Sequence, residues 1–114
     1  MDELNLIYEA VGSGPEKVLA RFGGNEEMLR HFLRLFAKDD CFANLQAALA
    51  AGNTADAFRA VHTLKGICVN LGFERLYERA SEITELLRCG DIDSAKQLFP
   101  ELAEEYGKVI EMLN

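Results

Sequence analysis

Apolar residues recur along this chain at three- and four-residue spacing, and glycine falls mostly between the apolar stripes, at Gly12, Gly14, Gly23-Gly24, Gly52, Gly72 and Gly90. The pattern predicts two short helices, over residues 3–11 and 15–22. A longer helix follows, opening at Glu26-Glu27 with Asn25 as its N-cap. Its stripe comprises Met28, Leu29, Phe32, Leu33, Leu35, Phe36, Phe42, Leu45 and Leu49 and runs to about Ala51. Asp39-Asp40 interrupts it, where a kink or a break is expected. Gly52-Asn53 then ends one helix and caps the next, which spans Thr54 to Leu71. Another spans Phe73 to Cys89, with Leu76, Ala80, Ile83 and Leu87 as its seam. The last opens behind Asp91 and presents Ala95, Leu98, Phe99, Leu102, Tyr106, Val109, Ile110 and Leu113. Pro100 lies inside that stripe and predicts a bend near residues 97–100 rather than a new element.

Alternating β-branched runs and hairpin turn dipeptides are missing, and strong helix formers fill the intervals. The fold class is therefore all-α. Four long amphipathic segments joined by connections of a few residues bury their stripes against one another as antiparallel neighbours. The expected architecture is an up-down-up-down four-helix bundle over residues 25–114 with a short helical extension over 1–24, together one domain spanning 1–114.

Composition narrows the function. A chain of 114 residues holds one core and excludes a large multi-part enzyme. Twelve Lys and Arg against 19 Asp and Glu give a net charge of −7, which disfavours nucleic acid and anionic membranes and points to protein partners. Cys41, Cys68 and Cys89 are odd in number and widely spaced, so neither a disulfide scaffold nor a zinc site is expected. The acidic start of the chain and the lack of a long apolar run predict a cytoplasmic protein.

The segment from Thr54 to Leu71 carries the candidate chemistry. With Leu64 at the centre of its apolar stripe and about 100° per residue, Ala57, Ala60, Val61, Ile67, Cys68 and Leu71 all fall within about 60° of that centre. His62 falls about 160° away and is expected to face water. Arg59 precedes it by a turn, Lys65 and Gly66 follow by a turn, and Val69 comes two turns on. A glycine inside an exposed helix costs about 1 kcal/mol relative to alanine, so clearance beside His62 is a reason for Gly66. An imidazole in water, with a pKa of about 6.5, is largely neutral at pH 7 and offers an unprotonated nitrogen to phosphorus. Lys65 is placed to neutralise phosphoryl oxygens, and Arg59 adds a second positive charge.

The run Ala60-Val61-His62-Thr63-Leu64-Lys65-Gly66-Ile67-Cys68-Val69-Asn70-Leu71-Gly72 resembles the phosphoacceptor motif of the histidine phosphotransfer (HPt) domains of two-component phosphorelays. The resemblance implies that His62 is the phosphorylated residue, that Lys65 stabilises the phosphoryl group, and that Gly66 clears space for a receiver domain. It also implies a polar side chain on the neighbouring helix near the phosphohistidine, with Thr84 as the candidate and Ser81 one turn earlier. Ile67-Cys68-Val69 departs from the small residues frequent in the family, and Val69 either joins Phe58 as an apolar docking surface or restricts which receivers fit. A further implication is reversible transfer between His62 and a receiver aspartate. The partners implied are receiver domains of response regulators and sensor or hybrid histidine kinases, with Mg²⁺ held by the receiver's carboxylates and no cofactor on this chain.

Other candidates are weaker. His31 sits among Arg30, Arg34 and Lys38 and reads as part of a solvated basic face, because a di-metal bundle needs paired Glu-x-x-His motifs. No metal site is expected. The chain has no P-loop and no nucleotide-binding glycine motif, so it reads as a phosphocarrier rather than an enzyme that uses ATP. The main alternative is a helical adaptor that binds receivers or kinases without being phosphorylated. A dimeric phosphotransferase assembled from two chains predicts fewer helices per chain, so a monomer is expected.

Overall fold

The computed structural model describes residues 2–11 and 14–113, and Gly12, placed above between apolar stripes, lies outside them. The described residues are helical throughout, joined by short turns. The helices are α1 (Asp2–Val11), α2 (Pro15–Arg21), α3 (Glu26–Lys38), α4 (Cys41–Ala51), α5 (Thr54–Leu71), α6 (Glu74–Arg88) and α7 (Ile92–Leu113).

Local chemistry sets most of these boundaries. Asn25 Oδ1 accepts from the Met28 amide at 3.0 Å, Asn53 Oδ1 from the Asp56 amide at 3.0 Å, and Asp91 Oδ1 from the Ser94 amide at 3.1 Å, capping α3, α5 and α7. Gly52 and Gly72 end α4 and α5 in the left-handed region, at φ 72° and 75°, where a side chain would be strained. α7 runs through Pro100 unbroken. Pro100 and Lys96, the residue whose carbonyl loses its amide donor, both lie on the exposed side of α7.

The segment from Asn25 to Ala51 forms two helices, so of the kink or break expected at Asp39-Asp40 the structure has the break. Asp39 is extended at φ −70°, ψ 141°, and its Oδ1 accepts from the Cys41 amide at 2.8 Å, starting α4 afresh. The break also changes what α3 buries. Leu29, Leu33 and Phe36 are in the core, whereas Met28, Phe32 and Leu35 are 45%, 41% and 47% exposed. The predicted stripe was wider than the surface α3 has to pack against.

α4 packs on α5, α5 on α6 and α6 on α7, while α7 also meets α1, α3 and α4. The core between them holds Leu45, Leu64, Leu76, Ile83, Leu102 and Val109, none more than 1% exposed. Trimming one of these leucines to alanine costs about 2–5 kcal/mol. Aromatic contacts close one side. Phe42 of α4 stacks on Tyr106 of α7, ring centroids 4.0 Å apart and planes 3° apart. Phe36 of α3 meets both Tyr106 and Phe73, at 5.8 and 5.2 Å. α5 is thereby held between neighbours along its length with one ridge left outward. No helix among the described residues is long and apolar enough to cross a membrane.

Candidate functional site

α5 is anchored at both ends. Asn53 caps its start, and at its finish Arg21 of α2 donates to the carbonyl oxygen of Val69 and, at 3.5 Å, to that of Asn70. A guanidinium there satisfies last-turn carbonyls and complements the negative end of the helix dipole. The inner face comprises Ala57, Ala60, Val61, Leu64, Cys68 and Leu71, all buried. Half a turn round, His62 is exposed, and the histidine is carried on a rigid ridge.

What flanks that ridge follows from the helical phase. Phe58 and Lys65 lie about 120° and 100° from the Leu64 direction and lean toward α6, whereas Arg59 and Thr63 lie at about −140° and −100° and lean toward α4. On the α6 side, the Phe58 and His62 rings are stacked at 5.8 Å between centroids and 12° between planes. Phe58 is half-buried, and the Arg88 guanidinium lies 5.7 Å from its ring centroid. One turn beyond His62, Lys65 Nζ lies 5.8 Å from the Tyr77 ring centroid. Two cation–aromatic contacts between α5 and α6 thus bracket the histidine. Nothing along the chain says which α6 residues stand opposite which α5 residues, so the places of Tyr77 and Arg88 are legible only in the fold.

On the α4 side, Arg59 is ion-paired with Asp56, and its charge is shared with that carboxylate. It lines a groove of about 620 Å³ between α4 and α5 together with Asp39, Asp40, Asn44 and Thr63. Gly66 is exposed, and a Cβ built on it meets nothing within 4 Å, so no internal packing requires a glycine there. Val69 is 47% exposed. Ile67 is half-buried and, with Asn70, Phe22, Phe32 and Leu35, lines an apolar groove of about 430 Å³ between α5 and the α2–α3 segment.

Thr84, the candidate polar group on the neighbouring helix, is 0% exposed and donates its hydroxyl to the Ala80 carbonyl at 2.7 Å. It lies one residue from Ile83 in the buried seam of α6, and the carbonyl four residues earlier satisfies it. Ser81 differs: its Oγ is enclosed and has no hydrogen-bond partner. Lys65 is half-buried against Tyr77.

His31 is exposed, and its ring meets the Phe32 ring edge-on at 5.7 Å. Among the described residues no three His, Cys, Asp or Glu side chains converge as metal ligands would. Cys68 is buried and its thiol pKa is raised by burial. The Cys41 thiol is pushed up to about 12, chiefly by burial and then by its hydrogen bond to Asp39. Cys89 is exposed.

The family model described as Hpt domain matches residues 27–112, from the first turn of α3 to the last turn of α7. No curated protein and no solved structure matches the chain.

Proposed function

The chain belongs to the Hpt domain family, the phosphocarrier modules that work with receiver domains and histidine kinases in two-component phosphorelays, and from that premise we propose that His62 is the phosphoacceptor. The observation that carries this reading is the placement of an exposed imidazole on a helix fixed at both ends, beside a lysine and a glycine with open space above it. In the receiving direction, the unprotonated nitrogen of His62 attacks the phosphorus of a receiver's aspartyl phosphate. The N–P bond forms as the acyl P–O bond breaks, the aspartate leaves as a carboxylate, and the proton on the other ring nitrogen passes to water. Donation to a second receiver reverses each step.

Lys65 balances charge on the phosphoryl oxygens, from a position that Tyr77 restricts. Arg59 contributes less than its formal charge because Asp56 shares it. For the polar group on the neighbouring helix we assign Ser81 in place of Thr84. Ser81 lies between Tyr77 and Arg88 on α6, as His62 lies between Lys65 and Phe58 on α5, and its hydroxyl, though enclosed, is unpaired where that of Thr84 is already bonded to a carbonyl. Gly66 lets the receiver's backbone approach. Val69 and the apolar rim from Phe32 and Leu35 supply docking surface beyond it. We read α4 to α7 as the antiparallel up-down bundle, with α1 to α3 packed on it within one domain that acts as a monomer. ATP and Mg²⁺ stay with its partners.

The test is phosphotransfer from a phosphorylated receiver to the native chain and to His62→Gln. Acid-labile label is expected on the native chain alone. Undiminished label on the variant would end the assignment. Receiver binding without any label on the native chain would favour an adaptor.

A further inference from the structure

An exposed histidine on a helix has several side-chain conformations open to it, and only those aiming the reactive nitrogen at phosphorus are productive. In this protein the ring is not left to itself. His62 lies nearly parallel to Phe58, one turn earlier, at a centroid separation of 5.8 Å, within the range of offset aromatic stacking. Phe58 in turn is held: it is half-buried against the core, and Arg88 of α6 lies over its ring. Rigidity passes from the core to Phe58 and from Phe58 to the imidazole plane.

We propose that Phe58 is a positioning residue for phosphoryl transfer, holding the plane of the His62 imidazole independently of any contact Phe58 makes with a docked partner. The inference rests on the reading of His62 as the phosphoacceptor. Two features favour positioning over docking alone. Phe58 turns part of its ring inward and is covered by a cation from the neighbouring helix, which leaves less of it for a partner. Rotation of the imidazole about its bond to Cβ breaks the parallel stack, so the plane is selected. The stack therefore selects how often the ring is aligned with an incoming phosphorus.

The experiment separates flatness from apolar bulk and needs no receiver. Phe58→Leu and Phe58→Met keep an apolar side chain but remove the flat face, and Phe58→Tyr restores it. Phosphoramidate, a small phosphodonor, reacts by transfer of its phosphoryl group from nitrogen to the imidazole as ammonia departs. It has no docking surface to lose. The readouts are the ring-proton shifts of His62 by NMR and the rate of phosphorylation. In the Leu and Met variants the ring-current shift is expected to vanish and the rate to drop about 2- to 10-fold, the range an aromatic pair supplies. Phe58→Tyr is expected to recover both. Native shifts, or a native rate, in folded Phe58→Leu or Phe58→Met overturn the proposal, as does a Tyr variant no better than Leu. A His62→Gln control keeps the two readings apart: label persisting on it defeats the phosphoacceptor assignment, whereas label lost there but unchanged in Phe58→Leu defeats only the positioning role.

Discussion

Gly66 sets helix stability against partner access. It lies inside α5 with no left-handed backbone to require a glycine, and a Cβ at this position meets nothing within 4 Å. Gly66→Ala therefore removes the backbone entropy cost of glycine without creating a clash, a gain of about 1 kcal/mol. For a domain of this size that raises the melting temperature by about 3–6 °C. Gly66→Leu gains nearly as much, since leucine is also a strong helix former. Transfer moves the other way. A leucine beside His62 prevents a receiver's backbone from closing on the ridge, and a misplacement of about 1 Å in such a reaction costs on the order of 100-fold. The assay pairs thermal melts followed by circular dichroism with transfer from a phosphorylated receiver, run beside phosphoramidate as a donor that needs no docking. Gly66→Leu is expected to melt higher, to lose receiver transfer by about 100-fold and to keep its reaction with phosphoramidate, with Gly66→Ala intermediate in transfer. Native transfer from the receiver to Gly66→Leu would refute the clearance argument, and a lowered melting temperature in Gly66→Ala would refute the reading of open space.

Lys65→Ala is expected to slow transfer or shorten the phosphohistidine lifetime, while loss of the contact with Tyr77 costs stability by about 0.5–1 kcal/mol; transfer kinetics and a denaturant titration check both. Under native conditions a thiol reagent is expected to modify Cys89 first and Cys41 and Cys68 only after unfolding, because burial raises the pKa of both inner thiols; mass spectrometry of labelled peptides reads the order. The Asp91 carboxyl is held below its usual pKa by its hydrogen bonds to the Ser94 hydroxyl and amide. Its stabilising effect is therefore complete above the ordinary aspartate pKa, about 3.9, and is lost as pH falls through the lowered folded value. The stability advantage of the native chain over Asp91→Ala should shrink between pH 5 and pH 2, and melts across that range will show whether it does.

Local signals carried much of the fold. α5 begins and ends at Thr54 and Leu71, as its Asn53 cap and Gly72 stop predict, and Leu76, Ala80, Ile83 and Leu87 are all buried as a seam. Caps, left-handed glycines and a 3.6-residue period act within a turn or two, so one sequence displays them. The break at Asp39-Asp40 was visible as a polar interruption, but whether it bends one helix or separates two depended on how α3 and α4 each found a surface to cover. For the same reason Met28, Phe32 and Leu35 are apolar yet exposed. Periodicity says which residues share a face and leaves open how much of that face is met.

By itself, the sequence determined that this chain is helical, where α5 starts and stops, and that His62 stands opposite the buried stripe of α5, because each follows from contacts within a few residues. Tertiary structure alone decided what stands beside His62. Phe58 is held by Arg88, Lys65 is laid on Tyr77, and Thr84 is sealed in the core while the Ser81 hydroxyl is left unpaired. These outcomes depend on the register between helices distant in sequence. That register is set by how whole stripes interlock, which no spacing along one chain records.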